Sequence, residues 1–372
     1  MANSPLADAG VDTPGLDAKV RFLRSPAAHG GATSPVQAIE THMSWVFLCD
    51  EQVLKLKKPV RFPFLDFSTL AARAHFCAEE VRLNRRLAPG IYLGLRALQW
   101  DGETFSLLAP QALPTAGATV DWLVLMRRLP APRMLDRLIA EGRVDDAGIG
   151  ALVARLGSFY RSALRLPLRG DQYVEHFQRE QAANREVLLR PQFRLEHVEQ
   201  ALDRLDRALM RQAEGLVERC VRGRIVEGHG DLRPEHVCLT DPPVVIDCVE
   251  FNVALRRVDP FDEAAFLGLE CRLAGAAWIG PRLLAGLSAE LDERPPAALI
   301  HLYTAQRALL RARLAMAHLL DPDPRTPDKW APLAQRYVAH ALAALDDLEG
   351  WCPLSDASAL PMGGPLAPAC PP

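Results

Sequence analysis

The chain has 372 residues, of which 49% are hydrophobic and 24% are charged, a profile typical of a globular protein of about two domains. Lysine and arginine number 43 against 46 aspartates and glutamates, so the net charge is −3 and we expect no nucleic-acid partner. The eight cysteines form no CxxC pair, which argues against a zinc site or a disulfide framework. Without a signal-like N-terminus or an apolar run of about 18 residues, we expect no membrane partner and a cytoplasmic location.

The chain changes character once between two segments of biased composition. Residues 1–16 and 353–372 are rich in Pro, Ala, Gly and Ser and lack periodicity, which predicts disordered tails. Residues 17–126 favour strands and one helix, whereas residues 127–352 favour helices. The sequence therefore predicts a small N-terminal sheet domain and a larger helical C-terminal domain.

A strand hairpin carries the first candidate site residues. Residues 45–48 and 53–57 are strand-like and flank a short polar turn. Alternation along the second strand places Lys55 and Lys57 on the face opposite to its two leucines. Lysine-rich faces are usually only solvated, so this face is either an exposed surface or part of a site. Further strands are predicted at 91–98, 104–108 and 122–126, and a helix capped by Asp66 or Ser68 is predicted to extend to about Leu87.

Helical spacing distinguishes between two neighbouring glutamates of this predicted helix. Glu80 shares the inward face with the apolar residues three to seven positions away. Glu79 instead lines up with Arg82 and Arg86 in a solvent-facing row of ion pairs. A carboxylate that faces a core needs a cation, because a buried unpaired charge costs several kcal/mol. We therefore predict that Glu80 pairs with Lys55.

The most informative segment is the sequence GHGDLRPEH at residues 228–236. The strand-like residues 225–226 lead into it, Gly228 and Gly230 permit unusual backbone angles, and Pro234 stiffens the return. Asp231 is therefore expected on a fixed loop. Glycine, aspartate and proline are also common in plain surface turns, so the motif alone does not decide between a turn and a site.

A second carboxylate follows the apolar run Val244-Val245-Ile246. Such a run predicts a buried strand, so Asp247 is expected to emerge from it at a cleft. Two nearby carboxylates repel each other unless a cation lies between them. The pair suits a phosphoryl-transfer centre in which Asp231 takes the proton of an acceptor hydroxyl, while His236 and Asp247 hold Mg²⁺ on the phosphates of ATP. The alternative for Asp247 is a structural turn cap.

These residues resemble the motifs of the aminoglycoside phosphotransferase family, which has a protein-kinase-like fold. Members similarly carry His-Gly-Asp, a metal-binding side chain five residues later, and an Ile-Asp metal ligand after a short hairpin. The resemblance covers most of residues 40–320, and the wording HGDLRPEH is associated with a poorly characterised branch. It implies an α+β, two-lobed fold with a small antiparallel-sheet N-lobe and a larger, mainly helical C-lobe. It also implies transfer of the γ-phosphate of ATP to a hydroxyl of a small molecule.

The resemblance further implies roles for individual residues. Lys55 would be the lysine that holds ATP, with Lys57 as the alternative, and Glu80 would orient it. A glycine-free loop would place Thr41 and Ser44 near the phosphates, and the backbone of residues 125–127, around Met126, would contact adenine. The alternative for residues 125–127 is a simple strand-to-helix linker. In the segment DPFDEA, Asp262 would support the catalytic loop, together with His229 inside it; the alternative for Asp262 is a helix cap.

One departure from the family pattern concerns the metal. The family usually has asparagine where this chain has His236, and imidazole is a better ligand for Mn²⁺ than for Mg²⁺. If His236 binds the metal, Mn²⁺ should support activity at least as well as Mg²⁺; otherwise His236 only packs or forms hydrogen bonds. The same departure leaves open a nucleotide-binding pseudokinase, and transfer of AMP to a protein is a further alternative. The sequence does not indicate the acceptor or the oligomeric state.

Overall fold

The computed structural model describes residues 13–62, 64–321, 324 and 326–350. Of the two predicted tails, residues 1–12 and 353–372 lie outside these ranges. The N-terminal prediction is wrong at its last position, because Leu16 begins a helix, α1 (Leu16–Leu23), that the sequence analysis did not find. Val20 and Leu23 on one side of this helix pack against the N-terminal sheet, which explains why it is ordered.

The N-terminal lobe consists of antiparallel strands with α1 on one side and a second helix, α2 (Leu70–Asn84), on the other. Its strands are β1 (Gln37–Glu40), β2 (Ser44–Cys49), β3 (Gln52–Lys57), β4 (Arg61–Phe62), β5 (Leu65–Asp66), β6 (Tyr92–Trp100), β7 (Phe105–Leu108) and β8 (Ala118–Arg127). The main sheet has the order β1-β2-β3-β8-β6-β7, and β4 and β5 form a separate hairpin.

The two faces of β3 follow the predicted alternation. Leu54 and Leu56 pack in the cluster that includes α1. Val53 packs in the cluster that includes Cys77 and Val81 of α2. The lysines of β3 therefore face α2, which brings their ammonium groups to the carboxylates of that helix.

The start of α2 differs from the prediction by one position. Its cap is Thr69, whose hydroxyl oxygen accepts from the backbone N–H of Ala72 at 3.1 Å. Asp66 instead accepts from the backbone and hydroxyl of Ser68 at 2.9 and 2.6 Å. Aspartate, serine and threonine are all strong caps, so a run that contains all three gives no unique start from sequence.

The C-terminal lobe is mainly helical. Its helices are α3 (Leu135–Ala140), α4 (Asp146–Ser162), α5 (Gly170–Leu188), α6 (Val198–Val221), α7 (Pro260–Leu273), α8 (Ile279–Glu290), α9 (Ala297–Ala317) and α10 (Trp330–Gly350). Helix α7 is buried along most of its length and packs against α8 and α9. Residues of α4, α5, α6 and α10 belong to the same continuous core. The short strands are β9 (Val226–Glu227), β10 (Val237–Cys238), β11 (Val244–Val245) and β12 (Arg257–Val258).

Two short strand pairs position the catalytic-loop motif. Strand β9 pairs with β12, and β10 pairs with β11. The backbone N–H of Ile246 donates to His236 O at 2.9 Å, and that of Val249 donates to His229 O at 3.0 Å. These bonds fix the loop that carries Asp231 against the segment that carries Asp247. Over the described residues, we find no helix with the length and apolar character needed to cross a bilayer.

Candidate active site

Asp231 lies on the loop between β9 and β10, with its side chain 32% exposed. Its carboxylate accepts from Arg233 Nε at 3.0 Å. Burial opposes the ionised form, but the neighbouring His236 and Arg233 favour it more strongly, so the pKa of Asp231 lies below its ordinary value. At neutral pH the group is therefore an ionised carboxylate that can accept a hydrogen bond from a hydroxyl.

His236 lies between the two candidate carboxylates. Its Nδ1 is 2.7 Å from the backbone oxygen of Asp231, which only accepts, so Nδ1 carries a proton. Its Nε2 is 3.3 Å from Nη2 of Arg233, which only donates, so Nε2 keeps a lone pair in this arrangement. Nε2 is 3.6 Å from Oδ2 of Asp247, and Nδ1 is 3.9 Å from Oδ2 of Asp231. The two carboxylates predicted to form the site therefore converge on one imidazole ring.

Asp247 follows β11 in a left-handed backbone conformation, with φ at 63°, which aspartate tolerates better than most residues. Its backbone N–H donates to the hydroxyl of Tyr92 at 3.2 Å, and Lys55 Nζ donates to its Oδ1 at 2.7 Å. The charge of Lys55 is the main reason that the pKa of Asp247 lies far below its ordinary value. The side chain is 46% exposed, so an ionised carboxylate faces the cleft.

The predicted Lys55–Glu80 ion pair is present, at 2.9 Å. Glu80 is fully buried and also pairs with Lys57, at 2.6 Å. Lys57 in turn pairs with Glu250, three residues after Asp247. The side chain of Lys55 is 15% exposed and that of Lys57 is inaccessible, so only Lys55 can reach a nucleotide in the cleft. Lys57, which was predicted as the alternative ATP-binding lysine, instead forms buried ion pairs with Glu80 and Glu250.

Support of the catalytic loop comes from Glu263 rather than Asp262. Glu263 accepts the backbone N–H of His229 at 2.9 Å and that of Gly230, and it also accepts from the hydroxyl of Tyr160 at 2.8 Å. Asp262 points elsewhere and pairs with Arg307 at 2.6 Å. Successive residues of a helix point about 100° apart, so only one of these two carboxylates can face the loop.

Glu263→Gln is expected to lower the turnover number without changing the KM for ATP. The new amide would place an N–H against backbone donors that now share one carboxylate, so the loop that positions Asp231 loses its anchor. Glu199→Gln makes the same chemical change at an exposed position of α6 and should keep the wild-type turnover number. Steady-state kinetics measure both variants; a turnover number of Glu263→Gln equal to that of this control would contradict the assignment to Glu263.

His229 is fully buried inside the loop. Its Nε2 donates to the backbone oxygen of Ile246 at 2.8 Å, and its Nδ1 accepts the backbone N–H of Asp231 at 3.2 Å. Burial lowers the pKa of His229 to about 4, so the ring is neutral near pH 7. A neutral ring can donate on one side and accept on the other, and it thereby ties the Asp231 segment to the Asp247 segment.

The predicted solvent-facing row on α2 is only partly correct. Arg82 bonds to Glu79 at 2.9 Å. Arg86, however, donates to the backbone oxygens of Glu227 and Gly228 at 2.8 and 2.9 Å. It therefore anchors α2 to the entrance of the catalytic loop and joins the two lobes.

The remaining nucleotide-site predictions lie around the same cleft face of the sheet. The Thr41 hydroxyl accepts from the Ser44 N–H at 2.9 Å and donates to the Ser44 oxygen at 3.0 Å, which closes the turn between β1 and β2. Ser44 is itself buried. Met126, near the end of β8, pairs in register with Val53 and Tyr92. Phosphate contact by Thr41 or Ser44, and adenine contact near Met126, stay predictions.

Arg233 was not among the residues predicted from the sequence, but it contacts several members of the site. It pairs with Asp231 at 2.9 Å and with Glu235 at 2.5 Å, and it approaches His236 Nε2 at 3.3 Å. The sequence feature that could have identified it as a site residue is its position two residues after Asp231. An arginine there places a permanent positive charge beside both Asp231 and His236.

The sequence relatives of this chain are uncharacterised proteins. No family model matches the chain. It is 28% identical over 336 residues to uncharacterised proteins of Mycobacterium tuberculosis and Mycobacterium bovis, a match that covers 86% of this chain but only 63% of theirs. This chain thus matches less than two thirds of the length of these relatives.

Solved structures of two kinds of small-molecule kinase are similar to the chain. A choline kinase from Cryptosporidium parvum has a TM-score of 0.54 at 9% identity, covering 90% of this chain and 97% of that one. A choline/ethanolamine kinase family protein from Mesorhizobium loti has a TM-score of 0.51 at 16% identity, covering 90% and 96%. A thermostable mutant of aminoglycoside phosphotransferase APH(4)-Ia has a TM-score of 0.50 at 11% identity, covering 86% and 96%. The chain has the two-lobed, protein-kinase-like α+β fold that these kinases share.

Proposed function

We propose that the protein is an ATP-dependent phosphotransferase that moves the γ-phosphate to a hydroxyl of a small molecule. The observation that carries the proposal is the convergence of Asp231 and Asp247 on His236, with Lys55 joining Asp247 to Glu80. A fold alone does not define an activity. This constellation supplies a hydroxyl-orienting carboxylate, candidate metal ligands and a phosphate-binding lysine in one cleft.

The donor set fits a divalent cation. His236 offers an unprotonated Nε2 and Asp247 an ionised carboxylate, and their 3.6 Å separation is less than twice a typical bond length of about 2.1 Å. When bound, such a cation would neutralise charge on the β- and γ-phosphates. Over the described residues, no group of three or more histidine, cysteine or acidic side chains surrounds a single point. The remaining ligands would therefore be nucleotide and water oxygens.

The protein's own residues supply the rest of the mechanism. Lys55, held by Glu80, would orient the α- and β-phosphates. Asp231 has a lowered pKa and is a weak base, so it orients the acceptor hydroxyl and receives its proton late, as the oxygen bonds to phosphorus. The guanidinium of Arg233 would stabilise charge on the phosphoryl group in transfer. Positioning and charge neutralisation thus account for most of the catalysis.

We expect Mn²⁺ to support turnover at least as well as Mg²⁺, because one ligand is an imidazole nitrogen. In the variant His236→Asn an amide oxygen replaces that nitrogen, so the preference should move toward Mg²⁺. The check is initial rates at saturating concentrations of each metal for both proteins. Far lower turnover with Mn²⁺ than with Mg²⁺ in the wild type would contradict direct ligation by His236.

The function itself is tested by incubating the protein, ATP and divalent metal with a library of small hydroxyl compounds and analysing the products by mass spectrometry. A product heavier by one phosphate group, with release of ADP, is expected. A mass increase of one AMP on a protein would favour nucleotidyl transfer instead. ATP binding without transfer to any acceptor would favour a pseudokinase.

A further inference from the structure

A pocket in the C-terminal lobe opens beside the catalytic loop, between α5, α9 and the start of α7. It contains about 440 Å³ of unfilled space, part of it open to solvent. Leu255 in its wall has its backbone oxygen 3.1 Å from where a Cβ on Gly230 would lie, next to Asp231. Asp262, also in the wall, immediately precedes the loop-bracing Glu263. The pocket is therefore within reach of the candidate active site.

Two side chains of this pocket carry polar atoms without partners. Gln306 is 4% exposed, and neither its amide nitrogen nor its amide oxygen has a hydrogen-bond partner among the described residues. Tyr173 is 1% exposed, and its hydroxyl likewise has no partner within the described part of the chain. Buried polar atoms are nearly always satisfied, so three such atoms lining one pocket point to a ligand that both donates and accepts hydrogen bonds.

The charges of the pocket determine what kind of ligand fits. Asp262 is paired with Arg307 at 2.6 Å, and Glu180 is paired with Arg313 at 2.6 Å. Both wall carboxylates are already neutralised, so neither is available for an ammonium group. Arg257, which also lies in the wall, is an exposed cation, so a cationic ligand is disfavoured. Gln306 and Tyr173 add neutral hydrogen-bonding groups, which match hydroxyl groups.

We propose that this pocket binds the phosphate acceptor and that the acceptor is a polyhydroxylated molecule without a positive charge, such as a sugar or a cyclitol. The inference rests on the proposed phosphotransferase function. Hydroxyls of the acceptor form hydrogen bonds with the amide of Gln306 and the hydroxyl of Tyr173. A further hydroxyl faces Asp231: its oxygen bonds to the γ-phosphorus, the bond from that phosphorus to the β-bridging oxygen breaks, ADP leaves, and the proton passes to Asp231.

Binding to the full chain is measured by titration calorimetry without ATP, using glycerol, D-ribose, D-glucose and myo-inositol as neutral probes and choline and kanamycin as cationic probes. At least one neutral probe is expected to bind, and neither cation is expected to compete with it. If no neutral probe binds, or if a cation displaces it, the proposal is overturned. Because no nucleotide is present, this result is independent of whether the protein transfers phosphate.

Matched glutamine variants show whether the unpartnered amide is the binding group. Gln306→Leu should weaken polyol binding at least about tenfold while thermal stability stays equal or rises, because no internal hydrogen bond is lost. Gln181→Leu is the control: its amide donates to Leu202 O at 3.0 Å, so that variant should lose stability and keep affinity. Tyr173→Phe should weaken binding in the same direction as Gln306→Leu. Unchanged affinity in Gln306→Leu, or a loss of stability equal to that of the control, would mean that the pocket holds only water.

Discussion

Asp231→Asn is expected to lower the rate of phosphate transfer by roughly two to four orders of magnitude while leaving ATP affinity unchanged. The substitution keeps the size of the side chain and removes the group that receives the hydroxyl proton. Lys55, Asp247 and His236 are untouched, so nucleotide and metal binding should persist. Single-turnover rates and ATP titrations of the same preparation measure the two effects separately.

The control for this experiment is Asp136→Asn, on the exposed side of α3. It makes the same chemical change away from the cleft and should leave both quantities at wild-type values. Turnover of Asp231→Asn equal to that of the control would remove Asp231 from the mechanism. A loss of ATP binding in Asp231→Asn would instead indicate that the residue supports the nucleotide site.

Lys57→Met is expected to destabilise the protein by about 3–5 kcal/mol near pH 7. Lys57 is inaccessible to solvent and pairs with both Glu80 and Glu250. Without it, Glu80 keeps Lys55 but Glu250 is left as a buried charge. Urea unfolding of the wild type and the variant measures the difference. Lys329→Met, at an exposed position, is the control and should change the free energy of unfolding by less than about 1 kcal/mol.

The pH dependence and a double variant identify the cause of this loss. Burial raises the pKa of Glu250 above its ordinary value even with Lys57 present, and removing that cation should raise the pKa further. When the pKa of a carboxyl group is higher in the folded state than in the unfolded state, proton binding stabilises the folded protein at low pH. This stabilisation is lost as the pH rises. The deficit of Lys57→Met should therefore shrink at pH 5. Adding Glu250→Gln should recover most of the stability near pH 7, and no recovery in the double variant would contradict the proposed pairing.

Local periodicity was sufficient to predict the parts of the site that depend on one element at a time. Alternation along β3 gave the face of Lys55, and helical spacing on α2 separated Glu80 from Glu79. The loop motif and the apolar run before Asp247 predicted two carboxylates in one cleft, and their side chains do converge on His236. In each case the residue's own neighbours in sequence determine which way it points.

The predictions that failed depend on contacts between distant segments. Glu250 meets Lys57 across 193 positions of sequence, and nothing local to either residue indicates it. Asp262 and Glu263 are adjacent acidic residues on α7, and only the packing of α7 under the catalytic loop decides which one accepts the backbone N–H groups. Helix α1 has only eight residues and depends on packing against the sheet. Its apolar residues Leu16, Val20 and Leu23 recur at helical spacing, but so short a pattern next to a segment of biased composition was not enough to predict it.

The central claim is that Asp247 and His236 hold a divalent cation on the phosphates of ATP. Electron paramagnetic resonance of Mn²⁺ with ATP, titrated with protein, measures this without knowledge of the acceptor. Wild-type protein is expected to bind the Mn²⁺–ATP complex with a changed spectrum, and Asp247→Asn is expected to bind it at least about tenfold more weakly. Wild-type binding of Mn²⁺–ATP by Asp247→Asn, or no binding by the wild type, would contradict the account.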